Sequence, residues 1–136
     1  MNSVVPRTPL AGLRVLEFGH IAAVPFCGML LADLGADVVK IEAPQGDGLR
    51  TWPPIAENAT GESFSLNFAS LNRGKRSIFP DLKDSGQLAR VRELCSLSPV
   101  VIETYAPRVL DRLGVGVEDV AKLQTATVNR LVRTQA

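Results

Sequence analysis

Residues 13–42 contain two short apolar runs on either side of a helical pattern, and this arrangement constrains the fold more than any other feature. The first run covers residues 13–18 and stops at a glycine, and the second covers residues 37–42. Residues 23–35 follow a helical pattern, with Pro25 in the first turn, where its missing N–H costs nothing, and a glycine at the end. The segment therefore predicts one β-α-β unit of about 30 residues with a right-handed crossover.

The rest of the chain continues the alternation of strands and helices. Apolar runs and helical periodicity predict strands over Arg76–Phe79, Pro99–Glu103 and Val128–Arg133, and helices over Ser85–Leu97, Val109–Leu113 and Val117–Gln124. This alternation favours the α/β class, with a parallel sheet flanked by helices.

Two segments depart from the alternation. Residues 1–10 are interpreted as a short leader, and residues 11–136 as one domain. Residues 43–72 are rich in proline and glycine and predict a long loop, with one helical turn near Ser63–Ala69. In the first helix, the apolar residues expected to form the buried face are Phe26, Met29, Leu30 and Leu34.

Charge and apolar length exclude several classes of function. The chain has 15 basic and 14 acidic residues and a net charge of +1, so no net field attracts it to nucleic acid or to an anionic membrane. Its longest apolar stretch, residues 21–34, is interrupted by Pro25 and Asp33 and is shorter than the about 20 residues that a membrane span requires. With no signal peptide indicated at the N-terminus, we predict a cytoplasmic location and neither nucleic-acid nor membrane partners.

The common catalytic motifs give no assignment. The dinucleotide fingerprint, the phosphate-binding P-loop and the nucleophile elbow are all missing from the sequence. The two cysteines, Cys27 and Cys95, lie in apolar segments and predict reduced, buried thiols, and with one histidine they cannot form a usual zinc site. We therefore expect no metal, and a nucleophilic pair of Cys27 with His20 is only a minor alternative.

Polar side chains follow the predicted strands at the points where the strands end. In an open parallel sheet, ligands bind in the crevice beyond those carboxyl ends. Clusters of arginine and lysine there can hold phosphate groups. The candidate residues are His20, Lys83, Thr104, Tyr105, Arg108 and Arg112. The alternative is a solvated basic face that binds nothing, in which case Lys75 and Arg76 are plain surface charges.

Three ordered segments resemble the family III CoA-transferases, also called the CaiB/BaiF family. Residues 9–17 (PLAGLRVLE) with residues 31–42 (LADLGADVVKIE) resemble the opening of these proteins. Residues 71–77 (LNRGKRS) with residues 81–83 (DLK) resemble a second signature, and residues 101–114 (VIETYAPRVLDRLG) resemble a third. The family includes formyl-CoA and carnitine-CoA transferases and α-methylacyl-CoA racemases.

The resemblance implies a fold and an activity. The implied fold is α/β, a Rossmann-like parallel sheet flanked by helices, and it forms the N-terminal part of a larger interlocked dimer. The implied enzyme moves CoA between carboxylic acids through an aspartyl-CoA intermediate, with acyl-CoA and a carboxylic acid as substrates and no tightly bound cofactor. The alternatives are a racemase-type member, which moves the proton α to the thioester carbonyl, and a non-catalytic CoA-binding module or truncated inactive fragment.

The resemblance also implies a CoA-binding set within residues 11–136. Positions after the first strand would lie near the thioester and the pantetheine arm, and those after the third and fourth strands would lie along the arm and at the nucleotide. In chain order the implied CoA-binding residues are His20, Ile21, Ala22, Lys83, Thr104, Tyr105, Arg108 and Arg112. No catalytic residue is assigned, because the nucleophilic aspartate of the family lies beyond position 136, and the positions of Asp33, Asp37, Asp81 and Asp111 look structural.

The sequence departs from the family pattern in the turn after the first strand and at its end. Ala22 stands where the transferases often carry glutamine, and Val24 stands where glycine is common. Residues 127–136 only approximate the family's continuation. We therefore expect a truncated chain that is inactive alone and does not form the homodimer of the full-length family.

Overall fold

The computed structural model of the protein describes residues 8–106 and 108–123, together with the backbone of residues 130–133. Its strands in chain order are β1 (Arg14–Phe18), β2 (Asp37–Ile41), β3 (Ile55–Glu57), β4 (Ser63–Ser65), β5 (Arg76–Ile78), β6 (Val100–Glu103) and β7 (Arg130–Arg133). Five of them form one parallel sheet in the order β5-β2-β1-β6-β7. The predicted α/β class with a parallel sheet is confirmed, and residues 128 and 129 of the last predicted strand lie outside the described residues.

Helices cover both faces of the sheet. They are α1 (Ala23–Asp33), α2 (Leu66–Asn72), α3 (Ser85–Ser96), α4 (Val109–Arg112) and α5 (Val117–Leu123). Alternate residues of each strand point to opposite faces, so Val15 and Val38 pack under α1, whereas Leu16 and Val39 pack against α3, α4 and α5. Two apolar cores therefore lie on either side of the sheet, whose strands β1, β2 and β6 are almost fully buried, as expected for parallel strands.

The face of α1 that meets the sheet differs from the prediction. Only Met29 of the four predicted residues is buried, while Phe26, Leu30 and Leu34 are each about half exposed. The helix instead packs through Val24, Pro25, Gly28 and Met29. Glycine adds no apolar signal to a periodic pattern, yet it allows the helix to approach the strands closely, and this displaces the apolar stripe toward solvent.

Residues 43–72, predicted as a long loop, contain several short elements. A 3-10 helix covers Gly48–Thr51, and β3 and β4 form a separate antiparallel hairpin. The predicted helical turn lies three residues later than expected, since α2 begins at Leu66 with the Ser65 hydroxyl accepting a hydrogen bond from the Phe68 N–H. None of the helices in the described part of the chain is long and apolar enough to cross a membrane.

Candidate CoA-binding site

Two adjoining clefts lie at the carboxyl edge of the sheet. The smaller one, the His20 cleft, has a volume of about 230 Å³ and is lined by Gly19, His20, Gly46, Asp47 and Gly48. The larger one, the Lys83 cleft, has a volume of about 360 Å³ and is lined by Pro44, Gln45, Pro80, Asp81, Leu82 and Lys83. Both clefts share Ile41, Glu42, Ala43 and Tyr105. Together they form the crevice that a parallel sheet offers to ligands.

Three of the residues predicted from the sequence line these clefts. His20 and Tyr105 meet in the first cleft, with their ring centroids 5.9 Å apart, and Lys83 lines the second. Burial, followed by the charge of Asp47, raises the pKa of Tyr105, so its phenol stays protonated and can donate a hydrogen bond. The buried Glu103 carboxylate accepts a hydrogen bond from the Tyr105 N–H at 2.9 Å and fixes the backbone of this residue.

The other predicted residues do not line the clefts. Thr104 lies beside Gly19, and its buried Oγ1 has no hydrogen-bond partner among the described residues. Ile21 and Arg108 both adopt left-handed backbone conformations, with φ of 66° and 67°, which non-glycine residues rarely adopt and which cluster at functional sites. Arg112 and Ala22 are exposed and are not among the lining residues. Whether any of these contacts a ligand stays a prediction.

A buried carboxylate that the sequence interpretation missed lies between the two clefts. Glu42 accepts hydrogen bonds from both Nε and Nη2 of Arg50, at 2.7 Å each, and from the Asp47 N–H at 2.8 Å. The Arg50 guanidinium in turn lies 3.9 Å from the Phe68 ring centroid and 5.3 Å from that of Phe79. Burial alone raises the pKa of Glu42, but the hydrogen bonds from Arg50, Ser77 and the Asp47 N–H outweigh it and bring the pKa below its usual value.

A second group of buried charges lies beneath α1 and was also missed; we call it the Lys40 cluster (Glu17, Lys40, Asp47 and Lys75). The Lys40 ammonium is 3.0 Å from Glu17 Oε1 and 3.0 Å from Asp47 Oδ2, and it donates to the Gly19 carbonyl at 2.8 Å. The Lys75 ammonium is 2.8 Å from Glu17 Oε2 and donates to the Pro25 carbonyl at 2.7 Å. Two carboxylates and two ammonium groups thus balance in the interior, as buried charges require.

The alternative that Lys75 is a plain surface charge is wrong. Its side chain is only 1% exposed, because α1 and α2 close over it and Glu17 supplies the opposite charge. Arg76, the next residue, is 65% exposed and pairs with Asp37 at the far edge of the sheet. The basic run at residues 72–76 therefore divides between the interior and the surface.

The sequence and the fold of the chain can be compared with those of known proteins. The sequence pattern of CoA-transferase family III matches residues 10–133. The chain belongs to CoA-transferase family III. It is 43% identical to the succinate–glutarate CoA-transferase of Agrobacterium fabrum over 86% of its own length and 30% of that protein. It is 40% identical to the succinyl-CoA:glutarate CoA-transferase of Mus musculus over 85% of its length and 26% of that protein.

A solved structure supports the same assignment. A CAIB/BAIF family protein from Brucella suis superimposes with a TM-score of 0.85 and 38% sequence identity, covering 93% of this chain and 33% of that one. The chain therefore spans about a third or less of the relatives that it matches. The resemblance to the family and the expected place of these residues in its N-terminal portion are confirmed.

The cysteines of this family III chain are poorly suited to nucleophilic chemistry. Burial raises the pKa of the Cys95 thiol to about 12, and burial together with the Glu17 charge raises that of Cys27. Neither thiol forms a disulfide, and because both pKa values are raised, both thiols are protonated at neutral pH. Within the described residues, no group of three potential metal ligands comes together.

We expect the Arg50→Met variant to lose stability in a pH-dependent way. The folded pKa of Glu42 is lowered, so its contribution is present above the unfolded pKa and is lost as pH falls through the folded pKa. Without Arg50 the buried carboxylate is uncompensated, which costs about 2 kcal/mol at pH 7 and less at pH 4, because burial without the Arg50 hydrogen bonds raises the pKa of Glu42 and favours its neutral form. Urea denaturation at both pH values measures the difference. Arg90→Met, on the exposed side of α3, is the control, and an equal loss from Arg50→Met at both pH values would contradict the assignment.

Proposed function

We propose that this chain is the CoA-binding N-terminal part of an enzyme that moves CoA between carboxylic acids. The observation that carries the proposal is the continuity of the His20 and Lys83 clefts past Tyr105, at the carboxyl edge of a family III sheet. CoA is an elongated ligand with anionic phosphates at one end and a thiol at the other. Lys83 is the cation suited to the phosphates, and His20 and Tyr105 lie where the pantetheine arm and the thioester would reach.

The chemistry proposed for the whole enzyme needs a carboxylate nucleophile. An aspartate attacks the thioester carbonyl carbon and the CoA thiolate leaves, giving a mixed anhydride. The thiolate then attacks the aspartyl carbonyl and releases the first acid, and the resulting aspartyl-CoA thioester passes CoA to a second acid by the same two steps. We place this aspartate outside the 136 residues.

Four of the seven aspartates in the described part of the chain support that placement. Asp33 pairs with Arg73, and Asp37 pairs with Arg76. Asp47 is held by Lys40, and Asp84 caps α3 through the Gln87 N–H. Each of these carboxylates is already engaged in an ion pair or a helix cap, which lowers its reactivity toward a thioester.

A non-catalytic CoA-binding module is the second candidate. The engagement of Asp47, the buried aspartate of the His20 cleft, favours it. A racemase-type enzyme would use the same clefts with a different set of residues outside the chain. In each case acyl-CoA is the small-molecule partner, and we propose a cytoplasmic location and a homodimer for the full-length enzyme.

Titration of the purified chain with CoA tests the proposal, and the Lys83→Ala variant tests the site. We expect CoA to raise the melting temperature, since saturation at 100 times the dissociation constant adds about 2.7 kcal/mol. Loss of the Lys83 ammonium should weaken CoA binding about tenfold, the value of one charge-assisted phosphate contact. Calorimetry measures the affinity.

Lys122→Ala is the matched control, because Lys122 is also an exposed lysine, lies on α5 and lines neither cleft. Acetyl-CoA mixed with succinate and the chain alone should give no succinyl-CoA. A chain that folds but binds no CoA would refute the proposal, and equal losses from Lys83→Ala and Lys122→Ala would refute the placement of the phosphates.

A further inference from the structure

Two walls of the His20 cleft come from segments that are far apart in sequence. One wall is the turn after β1, which holds Gly19 and His20, and the other is the turn at Gly46–Gly48. The 3-10 helix that follows the second turn is short, and the side chain of Asp47 caps it by accepting a hydrogen bond from the Leu49 N–H at 2.9 Å. Within this cleft, the relative position of the two turns sets its width.

One buried ammonium group contacts both turns. Lys40 Nζ donates to the Gly19 carbonyl at 2.8 Å and lies 3.0 Å from Asp47 Oδ2. The Lys40 side chain is 0% exposed, so it cannot reach a ligand in the cleft itself. Glu17, on the neighbouring strand, holds the same ammonium from below at 3.0 Å and completes its coordination.

We propose that Lys40 is a positioning residue for CoA binding, which fixes the β1–α1 turn and the Gly46–Gly48 turn at the separation that the ligand requires. The inference rests on the proposed function and adds to it a determinant that lies beneath the cleft rather than in it. Small displacements of a binding wall are costly, because directed contacts depend steeply on distance.

Lys75 provides a matched comparison for this role. It is also buried, its ammonium also pairs with Glu17, and it also donates to a backbone carbonyl, that of Pro25. Its remaining partner is Asn72 in α2, and none of its contacts belongs to a cleft wall. Replacing either lysine by methionine removes one buried charge from the same carboxylate, but only Lys40→Met frees the two turns.

The decisive measurement is the CoA affinity of the folded variants well below their melting temperatures. We expect Lys40→Met to weaken CoA binding about tenfold or more, and Lys75→Met to leave it within about twofold, although both lower the melting temperature. A merely structural role for Lys40 would lower the melting temperature and leave the affinity of the folded fraction unchanged, and that result would overturn the inference. The wild-type chain distinguishes the two failures. If the wild type binds CoA and folded Lys40→Met binds it equally well, only the inference fails. If the wild type binds no CoA, the proposed function fails as well.

Asp47→Asn gives a milder test, in which the direction of the change in CoA affinity is informative. The asparagine keeps the oxygen that caps Leu49 but loses the negative charge that faces Lys40. Removing a negative charge beside an anionic ligand would tighten CoA binding if only direct electrostatics mattered. Loss of positioning would instead weaken CoA binding. Tighter binding by Asp47→Asn would therefore count against the inference.

An independent readout needs no ligand. His20 is the only histidine of the chain, so its ring protons give a single set of NMR signals that reports on the β1–α1 turn. Its ring lies 5.9 Å from that of Tyr105, within reach of the ring current. We expect Lys40→Met to shift these signals and Lys75→Met to leave them in place. Unchanged signals in Lys40→Met would overturn the inference even if that variant proved too unstable for titration.

Discussion

Replacing Gly28 by alanine should lower the free energy of unfolding by about 3–5 kcal/mol. Gly28 lies in the middle of α1, directly above the buried Glu17. A Cβ at this position would overlap Glu17 Oε2 and lie 3.1 Å from its Cδ. The Glu17 side chain cannot move away, because Lys40 and Lys75 hold its two oxygens.

This loss of stability is opposite in sign to the usual effect of replacing glycine by alanine within a helix. Alanine in a helix interior is normally about 1 kcal/mol better than glycine. Thermal unfolding of Gly28→Ala should show a melting temperature lowered by roughly 10–20 °C. Gly48→Ala is the control, because an added Cβ there meets no atom within 4 Å and should change stability by less than about 0.5 kcal/mol. A Gly28→Ala variant as stable as the wild type would show that α1 does not press on the Glu17 carboxylate.

The second large effect is a loss of stability that distinguishes Lys75 from its neighbour Arg76. Lys75→Met should cost about 3–4 kcal/mol, whereas Arg76→Met should cost less than about 1 kcal/mol. Burial lowers the pKa of Lys75, and the Glu17 charge opposes this shift, so the ion pair does not fully repay the desolvation of the ammonium. Removing Lys75 nevertheless leaves Glu17 Oε2 without its cation inside the protein, and that unpaired charge is the main cost.

A double variant checks this explanation. Glu17→Gln combined with Lys75→Met leaves Lys40 paired with Asp47 and no uncompensated carboxylate. We expect the double variant to be about 1–2 kcal/mol more stable than Lys75→Met alone, as measured by urea denaturation. Strictly additive losses would show that Glu17 and Lys75 do not act as a pair.

The centre of the sheet could be predicted because β1, β2 and β6 are short apolar runs with glycine or proline nearby. The same runs also carried a signal for the Lys40 cluster. Glu17 and Lys40 interrupt β1 and β2 at positions that face each other in the parallel register. Opposite charges at matched positions of two buried strands predict an internal ion pair, because neither charge can be buried alone.

The burial of Lys75 and the orientation of α1 could not be predicted in the same way. Lysine is rarely buried, and a run of polar and basic residues has the same pattern whether or not helices close over it. In α1 the close approach is made at Gly28, which contributes nothing to apolar periodicity, so the stripe of Phe26, Leu30 and Leu34 was assigned to the wrong side.

The candidate site was predicted in part. His20, Lys83 and Tyr105 follow strands, and the carboxyl ends of parallel strands meet at one edge, so their proximity follows from topology. Glu42, Asp47 and Arg50 were missed because the segment after β2 lacks periodicity, and its structure depends on hydrogen bonds of side chains with the backbone and with each other. Such bonds are specific to the folded arrangement and leave no repeating pattern in the sequence.

The central place of β1 in the sheet also sets an order of assembly. Its pairing with β2 needs only the short α1 connection, whereas its pairing with β6 joins Val15 to Val100 and must close a far longer loop. Closing a long loop costs more entropy and takes place later in folding. His20 follows β1 and Tyr105 follows β6, the two strands of that late pairing. The β-α-β unit can therefore form during synthesis, whereas the cleft between these two rings is completed only when β6 docks.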